Sequence, residues 1–476
     1  MPEGAVCAVN DTKVNLMLGK NKGGELLSYI REGRTMTRAE KLRLIAQLSV
    51  PSILSQMSAI VMFFIDASMV GSLGARQSAS VGLVESSTWL FSGLLGAASM
   101  GFSVQVAHAI GANDFERARR ILRQSLVCAP LFGVALMLLG VAIHQRLPYW
   151  LGGGADIARD SSLYFLIFSL ALPFYQLQNL CGSMLKCSGN MRVPSALNIL
   201  MCLLDVVFNY IFIFVCGLGV PGAALGTLCA ILVSASLMAW SLLVRSPQLA
   251  LRRRPGPFRP TADCVRTAFK IGAPMGLQQI LMGGAQIVST SIVAPLGNIS
   301  IAANTFAITV ESLCYMPGYG IADAATTLVG QGIGAGQRAL TRSFARLSVA
   351  LGVAVMSVMA VLMYVFAPDL MSVMTPVEAI RDLSVAALRI EAFAEPMFAA
   401  AIVCYGVFIG AGDTLKPAAM NLLSMWGVRL TLAAALAPGY GLRGVWTAMA
   451  IELTFRGLIF LLRLFRGGWL KSFPKT

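Results

Sequence analysis

Charge is the scarcest property of this chain: only 12% of its 476 residues are Asp, Glu, Lys or Arg, about half the share found in soluble domains. With 57% hydrophobic residues and a mean hydropathy of +0.73, a water-soluble domain is excluded and an all-α integral membrane protein is expected. Histidine is almost missing too. Neither His108 nor His144 has a Ser, Cys or second His at a catalytic or metal-binding spacing, which speaks against an embedded hydrolase or metalloenzyme. The ten Cys are scattered, mostly within apolar runs, so packing rather than a disulfide framework is expected of them. No Gly-x-x-x-x-Gly-Lys-Ser/Thr cradle accompanies the glycines at 152–154, so ATP drive from this chain is not expected. The composition thus predicts no enzyme, no resident metal and no cofactor. Residues 1–44 lack the short apolar core and small-residue cleavage site of a secretory signal and read as a retained cytoplasmic N-tail.

What is abundant is apolar sequence in membrane-spanning lengths. Twelve runs of about 20 residues, from 45–70 to 444–465, are separated by short polar or Gly/Pro-bearing breaks. The chain is also written twice. A shift of 223 residues lays Pro51 on Pro274, Gln56 on Gln279, AHAIGAN (107–113) on GQGIGAG (330–336), Pro173 on Pro396 and Gly189 on Gly412. A shift of 222 then takes Gly219 to Gly441. This predicts a first six-helix bundle over 45–244, a cytoplasmic Pro/Arg-rich linker over 245–267, a second bundle over 268–465 and a cytoplasmic C-tail over 466–476. Six is even, so both halves start on the same side and are related by an axis along the membrane normal, a common transporter plan.

The net charge of +15 is explained by position. Of 37 Lys and Arg, 29 fall in the tails and in the loops after even-numbered helices. That is the positive-inside pattern, and it places both termini in the cytoplasm of a multi-pass inner (plasma) membrane protein with no nucleic-acid partner.

Ionisable residues inside apolar runs are costly, so those that persist tend to face a cavity or a partner. Asp66 closes helix 1 in FFIDASMVGSLG, and Asp205 sits within ALNILMCLLDVVFNYIFIF. At 100° per residue, Asn198, Asp205 and Asn209 share one stripe of helix 5. A carboxylate flanked by amides suits a proton or Na⁺, or else a polar clasp between helices. Asp66, Asp205 and Asn209 meet Ser289, Val428 and Leu432 in the second copy, so the acids belong to the first bundle alone, whereas Asn198 and Gln56 are matched by Asn421 and Gln279. Glu311 is a secondary ion or substrate candidate, as are Gln56 and Gln279. Glu391 and Glu395 in RIEAFAEP read as an outer-end pair solvated with Arg389. The 24 Met and 24 Phe suit a pliable pocket for small-molecule substrates.

Helix 1 ending in IDASMVGSLG, helix 2 running into AHAIGANDFERARR with its echo VGQGIGAGQRAL, and SGNMRVP echoed by GAGDTLKP together resemble the multidrug and toxic compound extrusion (MATE) family over about residues 40–468. The resemblance implies a V-shaped pair of six-helix bundles exporting organic, often cationic, compounds in exchange for H⁺ or Na⁺, and a monomer in the lipid bilayer is expected. It resembles most the DNA-damage-inducible type, which implies a coupling-ion site at Asp66 and Asp205, with Asn198 or Asn209 as the amide partner because Met201 replaces the usual Asn. The helix-7 Glu and helix-10 Asp of another subgroup are Met282 and Phe398 here. Two rivals stand beside the antiporter: a lipid-linked oligosaccharide flippase of the same superfamily, and a non-transporting scaffold or channel.

Overall fold

A computed structural model describes residues 22–252 and 256–472; the N-tail before Lys22 lies outside the described residues. Among the described residues there is no β-strand. A short helix α1 (Lys22–Glu32) precedes the first bundle, which comprises α2 (Arg38–Gly71), α3 (Ala75–Gly111), α4 (Phe115–Ile143), α5 (Ala155–Cys187), α6 (Arg192–Tyr210) and α7 (Val220–Trp240). The second comprises α8 (Ala262–Val293), α9 (Asn298–Gly334), α10 (Arg338–Met374), the pair α11 (Glu378–Ala392) and α12 (Glu395–Gly410), then α13 (Leu415–Leu422) and α14 (Leu430–Arg466). Among the described residues, ten helical stretches are long and apolar enough to cross a membrane, and the α11–α12 pair, bent by 59°, forms an eleventh. The longest, Leu415–Arg466, has 52 residues, which at 1.5 Å per residue is about 78 Å, enough for two crossings. Gly441 (φ 59°, ψ −141°) breaks it and yields the twelfth.

Local chemistry sets the helix ends. Thr37 and Glu40 form a reciprocal capping box at the start of α2, with Thr37 N donating to Glu40 Oε2 at 2.7 Å and Glu40 N to Thr37 Oγ1 at 3.3 Å. The repeat is conformational as well as sequential: Gly74 and Gly297, Asn113 and Gly336, Gly189 and Gly412, and Gly219 and Gly441 all have positive φ at equivalent turns. A left-handed backbone penalises any Cβ, which is why glycine recurs there.

The bundles meet at the end that carries α1 and the basic linker. There α3 crosses α9 without side chains intervening. A Cβ on Gly111 would lie 2.0 Å from the Gln331 carbonyl oxygen, and one on Gly334 would lie 2.0 Å from that of His108. Around this crossing His108 Nε2 donates to Gly410 O (2.9 Å) and Gln331 Nε2 to Cys187 O (2.8 Å). The sequence repeat maps each of these bonds onto the other, so a pseudo-two-fold axis passes between the two helices. Lys186 pairs with Asp323 at 2.7 Å, and the Ser52 hydroxyl donates to the same carboxylate oxygen. Helix α1 lies over the seam. Its Leu27 and Ile30 pack with Leu44, Leu48 and Met191 of the first bundle and with Leu328, Leu340 and Phe344 of the second. The Ile30 carbonyl accepts from Gln337 Nε2 (2.7 Å) and the Arg31 carbonyl from Asn113 Nδ2 (3.3 Å), so each bundle caps the end of α1.

Candidate functional site: a carboxylate pair and a central cavity

In the first bundle, α2 and α6 pack so that Asp66 meets Asp205 across one amide. Asn209 Nδ2 donates to Asp66 Oδ1 at 2.9 Å and to Asp205 Oδ2 at 3.0 Å. The 205–209 spacing stacks these two side chains one above the other on α6. Asp205 and Asn209 are fully buried, at 0% and 1% exposure, while Asp66 is half-buried. Asp205 Oδ1 and Asn209 Oδ1 are buried and accept no hydrogen bond. Two neighbouring carboxylates repel each other unless a proton or a small cation sits between them, and the unspent carboxylate and amide oxygens are hard donors for one.

The room for Asn209 comes from α7. A Cβ on Gly226 would lie 2.0 Å from Asn209 Oδ1, and one on Gly222 would lie 2.7 Å from the Phe212 carbonyl oxygen. Sequence reasoning missed this contribution, although the small-x-x-x-small spacing of Gly222 and Gly226 is a legible sign of close helix packing.

Other candidates lie elsewhere. Asn198, on the same stripe of α6, accepts from Gln178 Nε2 at 3.4 Å and does not join the carboxylates. Gln56 is ten residues before Asp66 on α2, about three turns away. Gln279 lies against Gly93 and lines the central cavity described below. Glu311 is buried inside the second bundle, at 6% exposure, and Glu391 and Glu395 are buried in the same bundle. The expected solvation of Glu391 and Glu395 with Arg389 is not found. Both are 0% exposed, and all four carboxylate oxygens lack a hydrogen-bond partner. Arg389 instead donates to the Tyr364 carbonyl and lies over its ring. The 59° bend between α11 and α12 falls between the two glutamates and turns both inward.

Between the bundles lies a cavity of about 450 Å³, within the usual range of small-molecule sites. Met100 of α3, Met275 and Met282 of α8, Tyr319 of α9 and Phe398 and Tyr405 of α12 give it a polarisable, aromatic wall. Tyr405 donates to Gln278 Oε1 at 2.9 Å. Arg456 of α14 also lines it.

A duplicated bundle pair closed at one end around a glycine crossing, with a drug-sized cavity at its interface, defines the architecture of a membrane transporter. The MatE family profile matches residues 51–211 and again 274–434, one match per bundle at the 223-residue shift, and the chain belongs to that family. It is 28% identical over 437 residues to a probable multidrug resistance protein NorM of Deinococcus radiodurans, covering 89% of this chain and 95% of that one. It is 25% identical over 431 residues to the Thermotoga maritima protein of the same name, covering 89% and 92%. Among solved structures, a MATE protein in complex with MaL6 superposes with a TM-score of 0.87 at 22% identity, over 95% of this chain and 100% of the other. A MOP superfamily transporter from Pyrococcus furiosus superposes with a TM-score of 0.86 at 22% identity, over 96% and 100%. Family and relatives support a multidrug efflux transporter with small-molecule substrates.

Proposed function

We propose that this chain is a cation-coupled antiporter that exports small amphipathic compounds from the cytoplasm by alternating access, with H⁺ or Na⁺ as the coupling ion. It works as a monomer in the inner (plasma) membrane, with both termini cytoplasmic. The observation that carries the reading is the Asp66–Asn209–Asp205 constellation, with two buried oxygens left without donors. A proton or Na⁺ arriving there relieves the repulsion of the carboxylates and changes how α2 packs on α6. A ligand shifts a conformational equilibrium only by its differential affinity for the two states, and a charge-neutralising ion beside a desolvated anion pair supplies such a difference. The positive-inside pattern supports a cytoplasmic position for the closed, α1-bearing end. The bundles are therefore joined on the cytoplasmic side, the arrangement in which substrate leaves outward and the coupling ion enters.

Reconstituted liposomes with separately imposed pH and Na⁺ gradients test this. Asp66→Asn and Asp205→Asn are each expected to lower gradient-driven efflux at least about tenfold, a coupling of about 1.4 kcal/mol, with both proteins folded. Unchanged efflux in both variants would falsify the site assignment, and the gradient that drives the parent protein identifies the ion.

A further inference from the structure

We infer that the central cavity selects amphipathic organic anions, molecules with a flat aromatic body and a carboxylate or sulfonate head, and that Arg456 is the residue that reads the head. The inference rests on the exporter reading and deepens it. It reverses the cationic preference that the family resemblance implies.

Three observations converge. Among the described residues lining the cavity, Arg456 is the only charged side chain. The two positions where another subgroup carries acids, Met282 and Phe398, face the same space and are apolar. No buried acid is among the lining residues: Asp66 and Asp205 cluster in the first bundle, Glu311, Glu391 and Glu395 lie in the second, and Glu452 is paired with Arg456. A cationic substrate entering here would shed water beside a guanidinium and meet no carboxylate on the wall.

Arg456 is also held in a way that leaves it usable. It is 8% exposed, and Glu452, at 0%, lies one turn before it on α14. Arg456 Nε donates to Glu452 Oε1 at 2.7 Å, and Nη2 is 2.6 Å from the same oxygen. The Ser424 hydroxyl also donates to Glu452 Oε1, which holds the carboxylate in place. Glu452 therefore occupies the Nε–Nη2 edge of the planar fork through a single oxygen, and Nη2 is itself buried. The Nη1 group is left over, and its N–H donors match an oxygen of an anionic head. The Met, Tyr and Phe wall then takes the aromatic body.

The test compares two dyes built on one xanthene skeleton with opposite charge, fluorescein and rhodamine 6G. Their binding to the purified full-length protein is followed by fluorescence polarisation, and their efflux from liposomes under the driving gradient. Fluorescein is expected to bind and move at least about tenfold better than rhodamine 6G. Arg456→Gln should remove that preference, while Arg456→Lys should keep part of it. Because Arg456→Gln leaves Glu452 buried and unpaired, the double variant Glu452→Gln/Arg456→Gln is measured beside it and should show the same loss for fluorescein with the fold intact. If rhodamine 6G is preferred, or fluorescein binding is unchanged in the folded double variant, the inference is overturned while the exporter reading stands. If neither dye moves under either gradient although the protein is folded, both fall.

Discussion

At the scale of single residues, Asn209 ties the candidate ion site together: one amide group bridges two acids that come from different helices. In the second bundle the equivalent residue is Leu432. Asn209→Leu should therefore leave α6 helical but remove the bridge, so gradient-driven efflux should fall at least about fivefold, with a thermal midpoint within a few degrees of the parent. A variant that keeps full efflux would show that the bridge does not matter to coupling. The acids were legible in the sequence because a carboxylate in an apolar run has few uses. Asn209 was legible by its helical spacing, and so was Asn198, but angular position alone misled there. A helical projection discards height, and seven residues raise Asp205 about 10 Å above Asn198. Asn198 therefore finds Gln178 instead. Arg456 could be seen to lie in an apolar run, but not that it would face the cavity. Which neighbour an inward side chain meets depends on the helix opposite, and that information is not in the run itself.

At the scale of elements, α1 is the least anticipated piece. A mixed, charged tail gave no strong periodicity, yet Leu27 settles on Gly189, whose φ of +89° and missing Cβ leave space that a Cβ would contest at 2.4 Å from the Leu27 methyl. Ile30, at 0% exposure, completes the seal. Burying two such side chains contributes about 3 to 5 kcal/mol of apolar transfer energy before the cost of ordering α1. If α1 braces the closed end, Leu27→Ser/Ile30→Ser should favour opening there. Cys187 reports it: this residue is 3% exposed and its carbonyl holds the Gln331 amide. Its labelling by a maleimide applied from the α1 side should rise several-fold in the double variant, with Cys187→Ser giving the background. Equal labelling in parent and variant would mean that α1 merely rests on the seam. The α11–α12 bend is a further element that the sequence reading missed, although Pro396 lies in the first turn after it. A proline marks where a helix can break, and packing decides which side chains then turn inward.

At the scale of the whole molecule, the two-fold relation was the most legible feature, because the matched turns, prolines and glycines lie at fixed shifts along the chain. It makes a quantitative demand. A Cβ on Gly111 and one on Gly334 would each lie 2.0 Å from a carbonyl oxygen of the opposite helix, and backbone cannot yield as a side chain can. Gly111→Ala and Gly334→Ala should therefore destabilise the closed state to a similar extent, about 3 kcal/mol each, seen as matching drops in thermal midpoint. A large drop for one and none for the other would contradict a symmetric crossing.

The mismatched positions tell a different story from the matched ones. Asp66, Asp205 and Asn209 have Ser289, Val428 and Leu432 as their partners in the other copy, and in the region of the 222-residue shift Glu452 and Arg456 have Ala230 and Ser234. What the copies share is the pivot; what they do not share is the chemistry. A duplicated chain of this kind can carry its carboxylate pair in one copy and its cavity-lining guanidinium in the other, with neither disturbing the joint between them.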